Sequence, residues 1–235
     1  MIFNLFKIIK VVIISLITAF IISDACIAKN TSFTPTSPWK TWKQYKNLSV
    51  SSRESTIDKL TEIKATALVN SSLSAFLLFI QDVDNTPAWL TNASNSKVIK
   101  HLSATEHIFT VNFSVIWPLK PRYLQLHSNY WQNSDLSVEI QLKDDFSVDI
   151  EHSNAMRIKF YQGHWLITPI LNNEQQKQLI IEYTFIADNG GELPKWFADQ
   201  LALKSILKSM KKMSLQLPQS KWQRQTIPGI IELNL

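Results

Sequence analysis

Leu179-Ile180-Ile181-Glu182-Tyr183-Thr184-Phe185-Ile186-Ala187-Asp188-Asn189-Gly190-Gly191-Glu192-Leu193-Pro194-Lys195-Trp196 decides the fold, because the period of its apolar residues changes midway. As far as Ala187 it is a β-branched and aromatic run of strand type, and Asn189-Gly190-Gly191 then supplies a turn. From Leu193-Pro194 onward, Trp196, Phe197, Leu201, Ile206, Leu207 and Met210 recur at helical spacing. Lys204, Lys208, Lys211 and Lys212 fall toward the end of that helix, where cations suit its dipole. Upstream, residues 105–116, 123–131, 136–143, 156–162 and 164–170 form strand-like runs joined by short turns. Parallel strands need crossovers of a dozen or more residues, so the sheet is expected to be antiparallel. Earlier still, 48–50 and 57–69 alternate, and Asn70-Ser71-Ser72 predicts a cap ahead of Leu73, Phe76, Leu77 and Ile80 on one helix face. Trp39, Trp42 and Tyr45, three apart, predict a short amphipathic helix ending at Asn47. The expectation is an α+β domain closed by a long C-terminal helix.

The ends read differently. Lys7 and Lys10 precede the apolar run 11–22, and Cys26-Ile27-Ala28 offers small residues for cleavage after Ala28. Residues 1–28 are therefore expected to be a signal peptide of an exported, periplasmic protein. A retained membrane anchor is the alternative, since counting from Ile2 lengthens the run toward the roughly 20 residues of a span. Acylation of Cys26 ranks third, because Asp24 stands where a small or apolar residue is needed. Cys26 is the single cysteine of the 235 residues, so the mature chain would hold no disulfide and no thiolate metal site. Residues 29–38 are Ser/Thr/Pro-rich and suit a flexible linker, with the domain over 39–217 and a tail at 218–235. Hydrophobic residues make up 45% of the chain and support one core, while four glycines leave little material for phosphate-cradling loops. A net charge of +5 is spread along the sequence rather than blocked, so no nucleic-acid partner is indicated.

Three segments carry a family resemblance: Trp117-Pro118-Leu119-Lys120-Pro121-Arg122, Gly163-His164-Trp165-Leu166-Ile167-Thr168-Pro169, and the strand–turn–helix stretch ending at Trp196. In order and spacing they resemble the START (StAR-related lipid-transfer) family, over about residues 39–215. Asp82 or Asp84 with Trp89 resembles that family's Asp and Trp ahead of the following strands. Two departures are Tyr123, where the family has an acid after the arginine, and Asn189 in place of proline. The resemblance implies a helix-grip fold, a curved antiparallel sheet wrapped around the C-terminal helix with an internal apolar cavity. It implies binding, and carrying or sequestering, of a lipid or other hydrophobic molecule, and the chain is expected to be a monomer.

Candidate ligand contacts are Trp117, Arg122, Trp165, Tyr183, Trp196 and Leu201, and each has a plainer reading. Tryptophans in strands are mostly core, Trp196 and Phe197 can anchor the helix, and Arg122 can serve a structural salt bridge. The helix lysines are a solvated face or a contact for an anionic membrane. No enzyme is indicated. There is no Gly-x-Ser-x-Gly elbow, and histidines 101, 107, 127, 152 and 164 show no His-Glu-x-x-His or paired helical spacing for a metal. Asp144-Asp145 and Asp149 with Glu151 lie at a turn, where acidic residues serve solubility. No catalytic residue, metal ligand or cofactor is therefore assigned. The alternative function is an envelope adaptor with a collapsed cavity and no ligand.

Overall fold

A computed structural model describes residues 37–57, 60–114, 120–148, 155–188 and 193–233. The signal, most of the linker, Trp117 and the Asn189-Gly190-Gly191 turn lie outside the described residues. In chain order the elements are β1 (Lys40–Gln44), β2 (Leu48–Glu54), β3 (Thr61–Val69), α1 (Leu73–Gln81), α2 (Thr86–Trp89), β4 (Ala93–His101) and β5 (Glu106–Phe113). They continue with β6 (Arg122–Gln132), β7 (Val138–Asp144), β8 (Met156–Arg157), β9 (Lys159–Leu171), β10 (Lys177–Asp188) and α3 (Lys195–Gln216). The strands form one curved sheet in the order β1-β2-β3-β10-β9-β7-β6-β5-β4. Every pair along that path is antiparallel; the two residues of β8 pair with β6 in parallel, outside the all-antiparallel expectation.

The last helix lies on the concave face because the sequence makes room for it. Ala65 and Ala67 are fully buried on β3, and Leu203, Ile206, Met210 and Met213 of α3 are buried on the side facing the sheet. Each such burial contributes roughly 1.5–3 kcal/mol. Thr61 Oγ1 donates to Asp199 at 2.8 Å and Ser209 Oγ accepts from Thr91 N at 2.9 Å, so α3 is pinned to β3 and to the chain after α2.

Three orphan amides at the start of α1, those of Leu73, Ser74 and Ala75, have side-chain partners. Ser72 Oγ accepts from Ala75 N at 3.2 Å, as the cap motif predicts. Leu73 N and Ser74 N donate to the Glu232 carboxylate at 3.0 and 2.8 Å, so the C-terminal tail supplies the other half of the cap. The tail is further held by Gln132, which exchanges two 2.8 Å bonds with the backbone of Ile231, and by Lys221, 3.1 Å from Asp82.

Two expectations need correction, and one strand was not foreseen. Residues 40–44 are an edge strand, not a helix; Lys40 pairs with Ser52, and Trp39 forms a platform for Arg53 and Lys64, 4.1 and 4.7 Å from its ring. The spacing of three misled because Trp42 alone packs against the core while Tyr45 is exposed. Residues 156–162 and 164–170 are not two strands joined at Gly163, since β9 runs through that glycine. Strand β4 has no sequence signal, because Ser96 is its one buried residue and no apolar alternation survives at that edge.

Candidate functional site

Between α3, α1, α2 and the concave face lie two adjoining apolar chambers. The inner one, about 100 Å³, is bounded by Leu77 and Gln81 of α1, Trp89 of α2, His107 of β5, Leu126 of β6 and Trp165 of β9. The outer one, about 230 Å³, is bounded by Arg122, Phe160, Phe185, Leu201, Ile206 and Ser209. Leu124 and Tyr183 line both, so they mark the passage between them. Together the chambers fall at the lower end of the 300–1,000 Å³ typical of small-molecule sites. A larger depression of about 1030 Å³ lies on the outer face of the sheet, but it is lined by many charged side chains and holds the ion pairs Arg53–Glu62 (2.5 Å) and Arg157–Asp144 (2.6 Å). A predominantly apolar lining, rather than volume, marks the two inner chambers as the site.

The wall of the passage is aromatic. Tyr183 on β10 stands opposite Trp165 on β9, and their rings stack at 4.1 Å and 18°. Phe185 stacks on Tyr183 at 5.2 Å, and Phe76 of α1 closes on Trp165 at 5.8 Å. Such pairs fix ring orientation, each contributing about 0.5–1.5 kcal/mol beyond area burial. Burial pushes the Tyr183 phenol well above its usual range, so that side chain stays neutral. His107 is pushed below its ordinary 6.5, first by burial and then by the charges of His101 and His127.

The His107 shift has a consequence for stability. Its folded pKa lies below the unfolded value, so its contribution is complete above about pH 6.5 and is lost as pH falls through the folded value. In urea titrations, stability is expected to decline on going from about pH 7 to about pH 5, and His107→Gln to remove part of that slope. Equal slopes in the two proteins would refute this role.

Of the residues singled out from sequence, Trp165 and Tyr183 line the chambers. Arg122, 5% exposed, borders the outer one and its Nη1 donates to the Lys120 carbonyl at 3.5 Å. Leu201 sits at the rim, lining the outer chamber while 37% exposed. Trp196 does not join the site: it is 69% exposed on the first turn of α3, edge-to-face with Phe197 at 5.6 Å. The helical period sets it in line with Leu203 and Met210, but residues 194–197 are all exposed and Leu203 is the first buried residue of α3, so the sheet does not cover the first turn. Trp117 falls outside the described residues. Gln81, Trp89, His107 and Leu124 were not foreseen as site residues. They belong to four different elements, and only the fold brings them to one chamber.

A curved antiparallel sheet of this order, gripping a long terminal helix over an apolar space, is the START helix-grip architecture. No family model and no curated protein sequence matches the chain. Solved structures do match. Human STARD10 superposes with a TM-score of 0.66 at 18% identity, over 77% of this chain and 73% of that one. A STAR-related lipid transfer protein fragment from Xanthomonas axonopodis gives 0.65 at 16% identity, over 77% and 99% of the two chains. Human StAR-related lipid transfer protein 5 gives 0.66 at 15% identity, over 80% and 89%. At these identities the likeness establishes the fold.

Proposed function

We propose that this chain binds one lipid or other hydrophobic molecule in the two-chamber tunnel and carries or sequesters it as a monomer, without chemically altering it. The observation that carries the proposal is the apolar space between the three helices and the sheet, lined by Leu124, Leu126, Trp165 and Tyr183. Burial of an acyl chain there contributes about 0.8 kcal/mol per methylene. The names of two structural neighbours, both lipid transfer proteins, support the same reading. The N-terminal run 11–22 with small residues at Ala28 supports work in the periplasm after export.

Exchange with a membrane is proposed to use the outer face of α3. At 100° per residue, Phe197, Leu201, Lys204, Lys208, Lys211, Lys212 and Leu215 share one side of that helix. All seven are exposed, and Leu201 is also at the tunnel rim. Apolar side chains interspersed with lysines suit the surface of an anionic bilayer. Lys208→Ala is expected to weaken binding to vesicles of anionic phospholipid about fivefold, at about 1 kcal/mol per lysine, and added salt should erase the difference. Unchanged vesicle affinity in the variant would remove this face from the account.

The test of the carrier itself is native mass spectrometry of the full chain purified from the envelope fraction, followed by solvent extraction. A lipid at close to one per chain is the expected result. A chain that arrives empty and takes up no lipid from vesicles would return the protein to the adaptor reading.

A further inference from the structure

The depression on the outer face of the sheet takes no part in the tunnel, and its lining is ordered. It draws side chains from β2, β3, β10, β9 and β7, which are consecutive in the sheet. Four strand spacings of about 4.8 Å carry it about 19 Å across the sheet, the reach of about six residues of extended chain at roughly 3.3 Å each. One arrangement occurs at both ends. Toward β2, Arg53 lies 4.1 Å from the ring centroid of Trp39 and is paired with Glu62 at 2.5 Å. Past β7, Arg157 lies 4.0 Å from the ring centroid of Phe146 and is paired with Asp144 at 2.6 Å. A guanidinium group that is both stacked and paired is fixed in direction.

The positive charge of this face is not balanced from within. Arg53, Lys64, Lys143, Arg157 and Lys159 line it, and its two carboxylates, Glu62 and Asp144, are both taken by the arginines. Lys64 has Glu182 at 3.9 Å. Lys143 and Lys159 are exposed on β7 and β9, between the two ends, and make no side-chain hydrogen bond or ion pair among the described residues. Among those residues Arg53 gives only its Nε–H, to Glu62, so the rest of its five donors stay available. Phe146 and Tyr161, 73% and 38% exposed, place apolar surface beside these cations. The face is complementary to a partner that brings separate negative charges and some apolar surface.

Three anionic partners differ in how they meet it. A bilayer rests on the rim of a depression, whereas Arg53 and Arg157 lie low in this one, with 16% and 22% of their side chains exposed. A nucleic-acid strand stacks its bases on open aromatic rings and carries a charge at every phosphate. Here Arg53 and Lys64 cover Trp39, Arg157 covers Phe146, and Glu62 and Asp144 interrupt the positive charge. An extended peptide is narrow enough to reach the arginines, and its carboxylates are spaced along the chain. We infer that the outer depression docks an extended acidic segment, about six residues long, of a partner protein. The gripped helix α3 lies on the other side of the sheet, so the tunnel and the lysines of α3 stay accessible while the segment is bound. The inference does not depend on the tunnel holding a lipid.

The experiment follows, by fluorescence anisotropy on the full-length protein, a labelled eight-residue peptide of alternating glutamate and threonine, with glutamine in place of glutamate as its neutral counterpart. The acidic peptide should bind and the neutral one should be at least about tenfold weaker. Lys143→Glu combined with Lys159→Glu changes two exposed side chains and should weaken the acidic peptide about tenfold, as added salt should. Lys97→Glu combined with Lys100→Glu makes the same change of charge at exposed positions of β4, three strands beyond β7 and more than a Debye length away, and should leave affinity within about twofold. Equal losses in the two double variants, or equal affinity for the neutral peptide, would overturn the inference. So would tighter binding of an eight-base thymidine strand, or a loss of affinity for anionic phospholipid vesicles in the Lys143/Lys159 variant as large as its loss for the peptide. Lipid co-purification is read separately, so this inference and the carrier reading fail independently.

Discussion

Leu124→Trp is expected to leave the protein folded and to deprive it of its ligand. Leu124 is the third residue of β6, opposite Val111 of β5 and two residues before the pairing with β7 begins at Leu126. It is only half-buried, because its side chain faces the passage between the two chambers. A larger ring there fills existing space instead of displacing packed neighbours, so the usual 1–3 kcal/mol cost of overpacking should be largely avoided. The ligand then stops at the outer chamber. If about three methylene-sized groups are excluded from the roughly 100 Å³ beyond, at about 0.8 kcal/mol each, affinity falls by about 2.4 kcal/mol, or roughly fiftyfold. Fluorescent-lipid uptake and thermal melting, measured on the same preparation, separate the two effects. Uptake unchanged in a folded Leu124→Trp variant would mean that the ligand does not pass this point.

The sequence revealed most of this fold where strands are covered on one face, and lost it where they are not. The strand–turn–helix stretch around Asp188 is legible because the apolar period changes abruptly, and α1 is legible because Ser72 caps a run with a helical stripe. The two edges of the sheet hide for the opposite reason: β1 and β4 are largely solvated, so nothing constrains their alternation. The tail was ambiguous in sequence because its anchoring depends on partners far away, Glu232 on the amides of α1 and Ile231 on Gln132. The site shows the same division. Trp165 and Tyr183 could be picked out as aromatic strand residues, but nothing about Gln81 at a helix end or His107 in a strand distinguishes a chamber wall from ordinary packing. Trp89 carried a signal in its likeness to a family tryptophan, yet that likeness did not mark it as part of a chamber wall.

Gly163 shows how a misjudged break in sequence turned out to be a packing requirement. Two residues three apart in a regular strand face opposite sides, so Phe160 and Gly163 should be separated by the sheet. The pairing of β9 with β10 slips between Ile186 and Ala187, which face Gln162 and Phe160 respectively, leaving Tyr161 as an extra residue. That bulge exposes Tyr161 and Gln162 in succession and returns Phe160 to the same buried face as Gly163. The ring of Phe160 then occupies the place of a side chain at 163: a Cβ there would lie 2.6 Å from Phe160 Cζ and 3.2 Å from Leu142 Cβ. Both neighbours are buried, at 4% and 7% exposure, and the nearest apolar space into which the ring can yield is the outer chamber that it already borders. Gly163→Ala should therefore cost about 1–3 kcal/mol, lowering Tm by about 2–4 °C for each kcal/mol, and should weaken ligand binding by narrowing the tunnel. Phe160→Leu, destabilising alone, should recover part of the loss when combined with Gly163→Ala, because the clash and the cavity offset each other. Strictly additive losses in that cycle would show that the ring does not rest over the glycine, and the role of the bulge in shaping the tunnel would fall with it.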